Sequence, residues 1–344
     1  MSIRILKPGL SDSFQDLGRY GFQYLGINPG GAMDPVAAQV ANMLAGNDVH
    51  EAVIEMHFPA SSFLFKEDAL IALSGADFNA TLNEQEIPLC TPIVVRKFSV
   101  MQFINYRHGG RCYLAVHGGF DIPKWLDSYS THLKAKAGGF HGRCLDKDDE
   151  LLFRRKQTDD KKQASDNSSH GAAQLSDAIP NGKDHRVLSW KADTSSVYNS
   201  PGIIRICEGS EFKRLTNASR ELLTSSSFTI TRQSDRMGYR MSGASLHTEN
   251  AQQLISSAVT KGTIQLFPDG QIIILMADHQ TTGGYPKIAH VISADIPKLA
   301  QLLPGAAIQF QMIEHSEAEE LLFQQHRYLQ VLQSACTLHL TELL

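Results

Sequence analysis

The residues best suited to chemistry lie in one short segment, 278–286, directly after a hydrophobic stretch. Residues 272–276 are continuously apolar and rich in β-branched side chains, which is typical of a strand buried on both faces. The segment then supplies a carboxylate, an amide, hydroxyls, two glycines and an aromatic ring: Asp278, Gln280, Thr281, Thr282, Gly283, Gly284 and Tyr285. Because glycine adopts backbone conformations closed to other residues, this composition predicts a loop that binds a small polar ligand. The alternative is a hairpin turn with a solvated tip.

A second group of candidates lies near the amino terminus. Asp16 and Arg19 lie in a glycine-containing loop, and Asp34 follows the glycine pair at 30–31. Arg19 has the geometry to hold a carboxylate or phosphate at two points, and a helix starting near Asp34 would offer free N–H groups to an anion. Alternatively, Asp16 and Arg19 pair with each other and Asp34 only caps the helix.

Two further segments have similar compositions. An apolar run at 113–116 leads into Gly118 and Gly119, and Ser130 and Thr131 follow. Hydroxyls beside glycine-rich backbone suit a small polar ligand, although a turn-rich barrel rim has the same composition. Farther along, Arg236 and Arg240 stand four residues apart behind an acid. This pair suits an anionic group on a substrate or partner, or else forms a surface ion pair of little energetic value.

Composition excludes several classes of protein. The 344 residues carry a formal charge of -4 without basic blocks, which argues against binding to nucleic acid. No apolar run is long enough to span a membrane, and the amino terminus has no signal-peptide pattern, so we expect a cytoplasmic protein. Five scattered cysteines indicate reduced thiols, with Cys112 packed in a strand, and no histidine spacing predicts a metal site. The common nucleotide-binding and serine-hydrolase motifs are also absent.

Short strand patterns dominate and must position these loops. They recur at 62–65, 70–73, 93–96, 202–206, 227–230 and 307–310. Helices are predicted from Asp34 to Gly46, over 294–302, and from about Glu314 onward, where Ala318 and Leu329 belong to an apolar stripe. Residues 156–186 are almost devoid of apolar side chains and predict a polar linker or insertion. The expected domains are therefore 1–155 and 187–312, followed by a helix over 313–344.

Several of these motifs, in this order, resemble one family. The matching segments are 14–19, 31–34, 74–77, 113–119, 234–240 and 280–286. By these motifs the chain is similar to the C subunit of 5-oxoprolinase, also called KipA or allophanate hydrolase subunit 2, a group related to biotin-dependent carboxyltransferases. The resemblance implies a mainly β fold of two cyclophilin-like β-barrel domains with few short helices and a C-terminal helix.

The resemblance also implies a function and partners. Members open the lactam of 5-oxoproline to L-glutamate together with an A subunit and a B subunit (KipI-like), with ATP as the co-substrate of the complex. The expected activity is therefore that of an ATP-dependent amide hydrolase subunit, inactive alone. The first alternative is a biotin-dependent carboxyltransferase related to urea carboxylase, with biotin carried by another chain. The second is a non-catalytic regulator that binds an inhibitor of a sensor kinase.

Residue roles follow from the shared need to polarise a planar amide or ureido oxygen. The candidate catalytic residues are Asp278, assigned to orientation or proton handling, and Thr282. Thr281, Thr282 and the glycine pair that follows are assigned to ligand contact, and Arg236 and Arg240 to an anion or partner. Asp16 and Arg19 are expected to form the matching loop of the first barrel. The sequence departs from the usual pattern at Asp127, where glycine is usual, and at His279, where arginine is common.

Overall fold

The computed structural model describes residues 2–154, 179–180, 182–200, 202–249 and 254–341. Most of the predicted polar linker over 156–186 lies outside these residues. Contacts divide the chain into two compact units. Unit 1 comprises Met1–Leu17, Pro35–Asp193 and Leu329–Leu344, and unit 2 comprises Gly18–Asp34 and Thr194–Tyr328. Residues 18–34 thus belong by their contacts to unit 2, while the boundaries predicted near 155 and 187 stay a prediction.

Unit 1 is built from two six-stranded sheets among its described residues. Its strands are β1 (Ser2–Lys7), β2 (Ser13–Gln15), β3 (Val53–Met56), β4 (Ser62–Phe65), β5 (Ala69–Asp77), β6 (Ala80–Leu82), β7 (Gln85–Glu86), β8 (Pro92–Val95), β9 (Val100–Phe103), β10 (His108–Val116), β11 (Glu150–Leu152) and β12 (His185–Val187). The sheets run β11-β1-β4-β9-β6-β7 and β12-β8-β5-β10-β3-β2. Every pairing between these strands is antiparallel.

Alternation along the long strands β5 and β10 builds the core of unit 1. Ile71 and Leu73 face one side with Leu114 and Val116, and the large rings of Phe14 and Phe120 pack edge to face there at 4.8 Å. Cys112 lies in the same cluster and is fully buried, so burial raises the pKa of its thiol well above the usual value. The prediction that Cys112 is a packed apolar side chain is therefore confirmed.

Unit 2 contains a closed seven-stranded barrel. Its strands are β13 (Ile203–Glu208), β14 (Ser227–Ile230), β15 (Gly238–Ser242), β16 (Ser257–Ala258), β17 (Thr263–Leu266), β18 (Ile272–Leu275), β19 (Thr282–Gly283), β20 (Lys287–Val291) and β21 (Ala307–Met312). The barrel order is β13-β20-β17-β18-β15-β14-β21, while β16 and β19 form a separate two-stranded ribbon. Ile264, Ile274 and Phe310 are among the side chains that fill the barrel.

Four α-helices occur in the described part of the chain: α1 (Pro35–Leu44), α2 (Asn217–Ser225), α3 (Ile296–Ala300) and α4 (His315–Thr341). Three of them match the predicted helices. The sequence patterns missed α2, although Thr216 caps it by accepting a hydrogen bond from the Ser219 N–H at 3.2 Å. Short 3-10 helices occupy Gln23–Leu25, Phe212–Arg214 and Ser293–Asp295. The predicted mainly β class, with few helices and a C-terminal helix, is confirmed.

Buried charges fasten α3 to the barrel. Asp295 is fully buried and accepts two bonds from the Arg205 guanidinium, at 2.5 and 3.1 Å, and one from the Arg205 backbone N–H at 2.8 Å. Lys298, which is also buried, approaches the same carboxylate at 3.1 Å and donates to the Ile203 carbonyl at 3.2 Å. Because each charge is paired, this network fixes α3 beside the first residues of β13.

Asp12 in unit 1 gives a stability prediction with a defined sign. The carboxylate is 1% exposed and accepts N–H groups from His57 at 3.2 Å and Ser61 at 2.7 Å. Burial, with a smaller effect of Glu55, raises its pKa from 3.8 to about 6 despite these hydrogen bonds. A raised folded-state pKa means that the stabilisation is present at low pH and is lost as the pH rises through about 6.

We expect the free energy of unfolding of the natural protein to fall by about 1 kcal/mol between about pH 5 and pH 7, relative to the Asp12→Asn variant. Urea denaturation of both proteins at each pH measures this difference, and the comparison cancels the titration of other groups. The assigned direction would be contradicted if the free energy of unfolding of the natural protein, relative to that of the variant, stayed constant or increased as the pH rises.

Candidate functional site

The best-defined polar cluster of unit 2 is centred on Asp278. Asp278 follows β18, and Arg236 precedes β15, the antiparallel neighbour of β18. The backbone pairing of these two strands continues to this point, since the Asp278 N–H donates to the Arg236 carbonyl at 2.8 Å. This places the two side chains together. The Arg236 guanidinium donates through Nε to one carboxylate oxygen at 2.9 Å and through Nη2 to the other at 3.1 Å. The pair is largely buried and has the bidentate geometry that makes such bonds strong.

The segment 28–33 completes the cluster from the other side. Arg236 Nη2 also donates to the Gly31 carbonyl at 2.7 Å, and Asn28 Nδ2 donates to the Asp278 carbonyl at 2.9 Å. Lys261 Nζ donates to the carbonyls of Ala32 at 2.9 Å and Met33 at 3.0 Å. Backbone carbonyls thus hold two cations in place.

Gly30 allows a third cation to approach. Its φ is 63°, and a Cβ at this position would lie 2.9 Å from Arg19 Nη1 and 3.8 Å from a carboxylate oxygen of Asp278. Arg19 itself is only 1% exposed. Arg19 and Arg236 therefore both lie near the Asp278 carboxylate, and Lys261 binds carbonyls of the adjacent segment. Cationic side chains gathered in this way suit an anionic ligand.

Asp34 is a buried acceptor in the same unit. Its Oδ2 accepts hydrogen bonds from the Tyr198 hydroxyl at 2.8 Å and from Gln301 Nε2 at 2.7 Å. Its side chain is completely buried. The structure therefore gives this predicted anion-site residue a positioning role that ties the end of segment 18–34 to distant parts of unit 2.

The 278–286 loop forms one strand of the β16–β19 ribbon. Thr282 and Gly283 pair with Ala258 and Ser257, and the Thr281 carbonyl accepts the Val259 N–H at 3.1 Å. Thr282 is exposed, so its hydroxyl is accessible. His279, which stands where arginine is common, is buried; burial lowers its pKa, and its Nδ1 donates to the Gln280 carbonyl at 2.6 Å. The ribbon therefore presents hydroxyls and backbone rather than a cation at this point.

The reason for the glycine pair differs from the predicted one. Neither Gly283 nor Gly284 has a positive φ, so the expectation of conformations closed to other residues is wrong. Close approach explains Gly283 instead, because a Cβ there would collide with Nε2 of Gln265. A Cβ at Gly284 would meet only Ser256 Oγ at 3.3 Å and the Leu254 carbonyl at 3.5 Å. Close packing on the end of the Gln265 side chain therefore favours glycine at position 283.

Arg240 and Tyr285 lie in a different setting from Arg236. The Arg240 guanidinium lies over the Phe267 ring at 5.4 Å, and this ring meets Tyr285 edge to face at 4.9 Å. Arg240 is exposed at the outer surface of the barrel. The two arginines that the sequence suggested as one anion site therefore have different partners: Arg236 holds a carboxylate, and Arg240 stacks on an aromatic pair.

In unit 1, a second carboxylate is surrounded by hydroxyls. Asp16 accepts from Ser128 Oγ at 2.8 Å, Ser130 Oγ at 2.5 Å and the Tyr129 N–H at 2.6 Å. Beside them, Thr131 donates its hydroxyl to the Phe14 carbonyl at 3.0 Å. Asp16, Ser130 and Thr131, which the sequence placed in two separate groups, are therefore brought together, and Asp16 organises the hydroxyl-bearing loop.

A strained turn delivers this loop. Leu126 and Asp127 both have positive φ, 51° and 59°, and the Trp125 N–H bonds to the Ser128 carbonyl at 2.9 Å across the turn. Consecutive left-handed residues are disfavoured for side chains with a Cβ. This geometry explains why glycine is usual at the position of Asp127.

Gly118 and Gly119 connect to the same loop through an arginine. Their φ values are 83° and 76°, and the guanidinium of Arg154 lies directly against Gly119 while it pairs with Glu51. Arg154 also donates to the Tyr129 hydroxyl at 2.8 Å. The glycine turn therefore makes room for an arginine that contacts the residue between Ser128 and Ser130.

Several contributors could not be found from the sequence patterns. These contributors lie outside the predicted clusters or within apolar contexts: Asn28, Arg154, Lys261 and Gln265. The strand 263–266 alternates polar and apolar side chains, with Thr263 and Gln265 polar. This alternation is the one feature of the sequence that could have drawn attention to Gln265. Among the described residues, no group of three or more His, Cys, Asp or Glu side chains is arranged to hold a metal ion. Likewise, no helix of this part of the chain combines the length and apolar character needed to cross a membrane.

Comparison with known proteins defines the class. The family model for the carboxyltransferase domain, subdomains A and B, matches residues 25–312. A two-unit, mainly β chain with this match is a carboxyltransferase-domain protein, and the chain belongs to that family. Within it, the chain is 33% identical over 327 residues to the 5-oxoprolinase C subunit of Haemophilus influenzae, covering 95% of this chain and 96% of that protein. The resemblance inferred from the motifs is confirmed.

Other relatives include both a protein of similar length and longer proteins. The chain is 33% identical over 330 residues to the 5-oxoprolinase C subunit of Escherichia coli, with 96% and 97% coverage of the two chains. It is 28% identical to urea amidolyase of Saccharomyces cerevisiae over 93% of its length but spans only 17% of that protein. The fold matches the crystal structure of K. lactis urea amidolyase with a TM-score of 0.83 at 24% identity, covering 96% of this chain and 20% of that one.

The Arg236–Asp278 pair gives a testable coupling. Arg236→Met removes both bonds to the Asp278 carboxylate and the bond to the Gly31 carbonyl. Because a largely buried carboxylate then lacks its cationic partner, we expect the free energy of unfolding to fall by about 3 kcal/mol. Asp278→Asn and the double variant complete a thermodynamic cycle measured by urea denaturation.

The matched control is the cycle for Arg4 and Asp148, which pair at 2.8 Å but are about half exposed. Its coupling energy should be near zero. Equal coupling energies in the two cycles would show that the Arg236–Asp278 fork does not organise the site.

Proposed function

We propose that this chain is the C subunit of an ATP-dependent 5-oxoprolinase that opens 5-oxoproline to L-glutamate together with A and B subunits. Its similarity to the 5-oxoprolinase C subunits of two bacteria, over nearly the whole length of each, supports this assignment. The observation that carries it at the site is the Arg236–Asp278 pair with Arg19 beside it and Lys261 on the adjacent segment, because 5-oxoproline is an anion with a planar amide. The complex acts in the cytoplasm, in keeping with the free thiols of all five cysteines.

The residues of this chain bind and orient rather than cleave. Asp278 uses its carboxylate oxygens to hold Arg236, so it serves as an orienting group for the cation. The exposed Thr282 hydroxyl is available to a substrate oxygen or nitrogen. ATP is the co-substrate of the complex and supplies the phosphoryl group that activates the amide oxygen. Because the chain has no Gly-x-x-x-x-Gly-Lys-Ser/Thr loop, we assign ATP to the assembly as a whole.

A second candidate function is carboxyl transfer. The family model carries the carboxyltransferase name, and urea amidolyase relatives match most of this chain. In this case carboxybiotin would come from another chain, since this sequence has no Ala-Met-Lys-Met-like acceptor. Both candidates require an amide-like oxygen to be polarised by fixed donors, so the same cluster serves either one.

The decisive experiment measures 5-oxoproline-dependent release of ADP by the co-expressed A, B and C subunits. Omitting this chain should abolish the rate, and Thr282→Val should lower kcat by at least about tenfold because it removes a hydroxyl while keeping the side-chain shape. Thr337→Val, at an exposed position on α4, is the matched control and should leave the rate unchanged.

A rate that persists without this chain would refute the 5-oxoprolinase assignment and favour a regulatory role. Release of carboxylated product that depends on a biotin carboxylase would favour carboxyl transfer.

Partner contact has its own candidate surface, the tip of loop 18–29. The base of the loop is closed by the Arg19 N–H donating to the Pro29 carbonyl at 2.7 Å. At the tip, Tyr24 is 82% and Leu25 58% exposed, and no charged residue occurs from position 20 to position 33. Aromatic side chains on a rigid, uncharged projection are typical of protein interfaces. We assign this tip to an apolar surface of the B subunit.

Replacing Tyr24 by Ser should weaken binding of the B subunit by at least about tenfold, because an exposed tyrosine at the centre of an interface is a common source of affinity. Titration calorimetry with purified B subunit measures the effect. Phe98→Ser, at a position that is 68% exposed in unit 1, is the control. Equal affinities for both variants would refute this surface, as would self-association of the chain through Tyr24.

A further inference from the structure

A buried polar layer lies on the outside of the unit 2 barrel, at neighbouring positions of β17 and β20. Gln265 and Lys287 are register partners on these strands and are 1% and 8% exposed. Lys287 Nζ donates to Ser257 Oγ on β16 at 2.6 Å and approaches Glu211 at 3.4 Å. The β16–β19 ribbon therefore contacts this layer through Ser257, which accepts the hydrogen bond from Lys287.

One donor in the layer is unused. The Gln265 Oε1 accepts from Gln280 Nε2 at 3.3 Å, but its own Nε2 is buried with no hydrogen-bond partner among the described residues. A buried donor without a partner costs about 1–3 kcal/mol relative to a satisfied one. Native proteins rarely keep such groups without a functional reason.

The ribbon lies directly on this donor. A Cβ at Gly283 would collide with Gln265 Nε2, so the glycine backbone packs against the amide with no space between them. The ribbon itself is short: Ser257, Ala258, Thr282 and Gly283 make its register, and three of these four are exposed. Because few buried apolar contacts hold it, this element belongs to the part of the fold that opens most readily.

We propose that the β16–β19 ribbon is a movable cover over an oxygen-binding subsite, in which Gln265 Nε2 and Lys287 Nζ bind a carboxylate or amide carbonyl of the ligand. When the ribbon moves aside, the unused amide hydrogens gain an acceptor, and Lys287 exchanges Ser257 for a ligand oxygen while Glu211 stays beside it. The chemical class, a small molecule with a carboxylate or amide oxygen, rests on the proposed function.

The binding part is tested with 5-oxoproline and the assembled A, B and C subunits. Gln265→Glu keeps the shape but replaces the donor with an acceptor, and Lys287 beside it helps the new carboxylate to be tolerated. We expect KM for 5-oxoproline to rise at least about tenfold, with a smaller change in kcat. Gln271→Glu, at an exposed position directly before β18, is the matched control and should leave KM unchanged. An unchanged KM for Gln265→Glu overturns the subsite.

The cover is tested on the isolated chain by hydrogen–deuterium exchange. Gly283→Ala places a Cβ against the Gln265 amide, and because Gln265 is only 1% exposed, we expect the ribbon to shift and its amides to exchange at least about tenfold faster. Gly284→Ala should behave like the natural protein. Combining Gly283→Ala with Gln265→Ala removes the collision and should restore the exchange rates of the natural protein.

Equal exchange in the Gly283→Ala and Gly284→Ala variants overturns the cover. This measurement needs no substrate, so it can stand even if the complex fails to turn over 5-oxoproline, which would refute the proposed function alone.

Discussion

The bidentate bond between Arg236 and Asp278 is the contact on which the rest of the unit 2 site depends. It forms because the backbone ladder between the two chain segments continues past β15 and β18, bringing Asp278 N–H to the Arg236 carbonyl. The guanidinium of Arg236 binds both carboxylate oxygens of Asp278 and also donates to the Gly31 carbonyl. Asn28 donates to the backbone carbonyl of Asp278. A segment far away in sequence is thereby held against the barrel, and with it Arg19, which Gly30 admits. The Arg236–Asp278 bond thus holds Arg236 itself and the segment with Gly30, against which Arg19 lies.

The sequence predicts the elements well where local patterns decide them. The strands at 62–65 and 227–230 have the observed bounds, and α1 begins at the predicted Asp34–Pro35 step because proline suits the first turn. The cap of α2 and the turn before Ser128 are likewise formed by residues that are neighbours in sequence. The predictions that succeed share a cause: strand alternation, helix capping and glycine turns are properties of neighbouring residues.

The partners of the site residues could not be predicted, because they are set by long-range packing. Nothing near Arg236 in sequence indicates that it binds Gly31 rather than acting with Arg240, whose guanidinium lies over Phe267. Similarly, the glycine pair at 283–284 suggests backbone freedom, whereas Gly283 is needed because Gln265 lies beneath it. Gln265 sits in an apolar strand, and its significance depends on a ribbon that the sequence does not place over it. The helix α2 was missed because its residues between 217 and 225 are mostly polar.

The three acids of the motif segments share a property that bears on mechanism. Asp16 accepts from Ser128, Tyr129 and Ser130, Asp34 from Tyr198 and Gln301, and Asp278 from both ends of the Arg236 fork. Each of these carboxylates therefore accepts hydrogen bonds from fixed donors of the protein. Their work is to hold cations, hydroxyl loops and chain segments in place. Donors that are held in fixed positions in this way are the kind of group that stabilises a developing oxyanion.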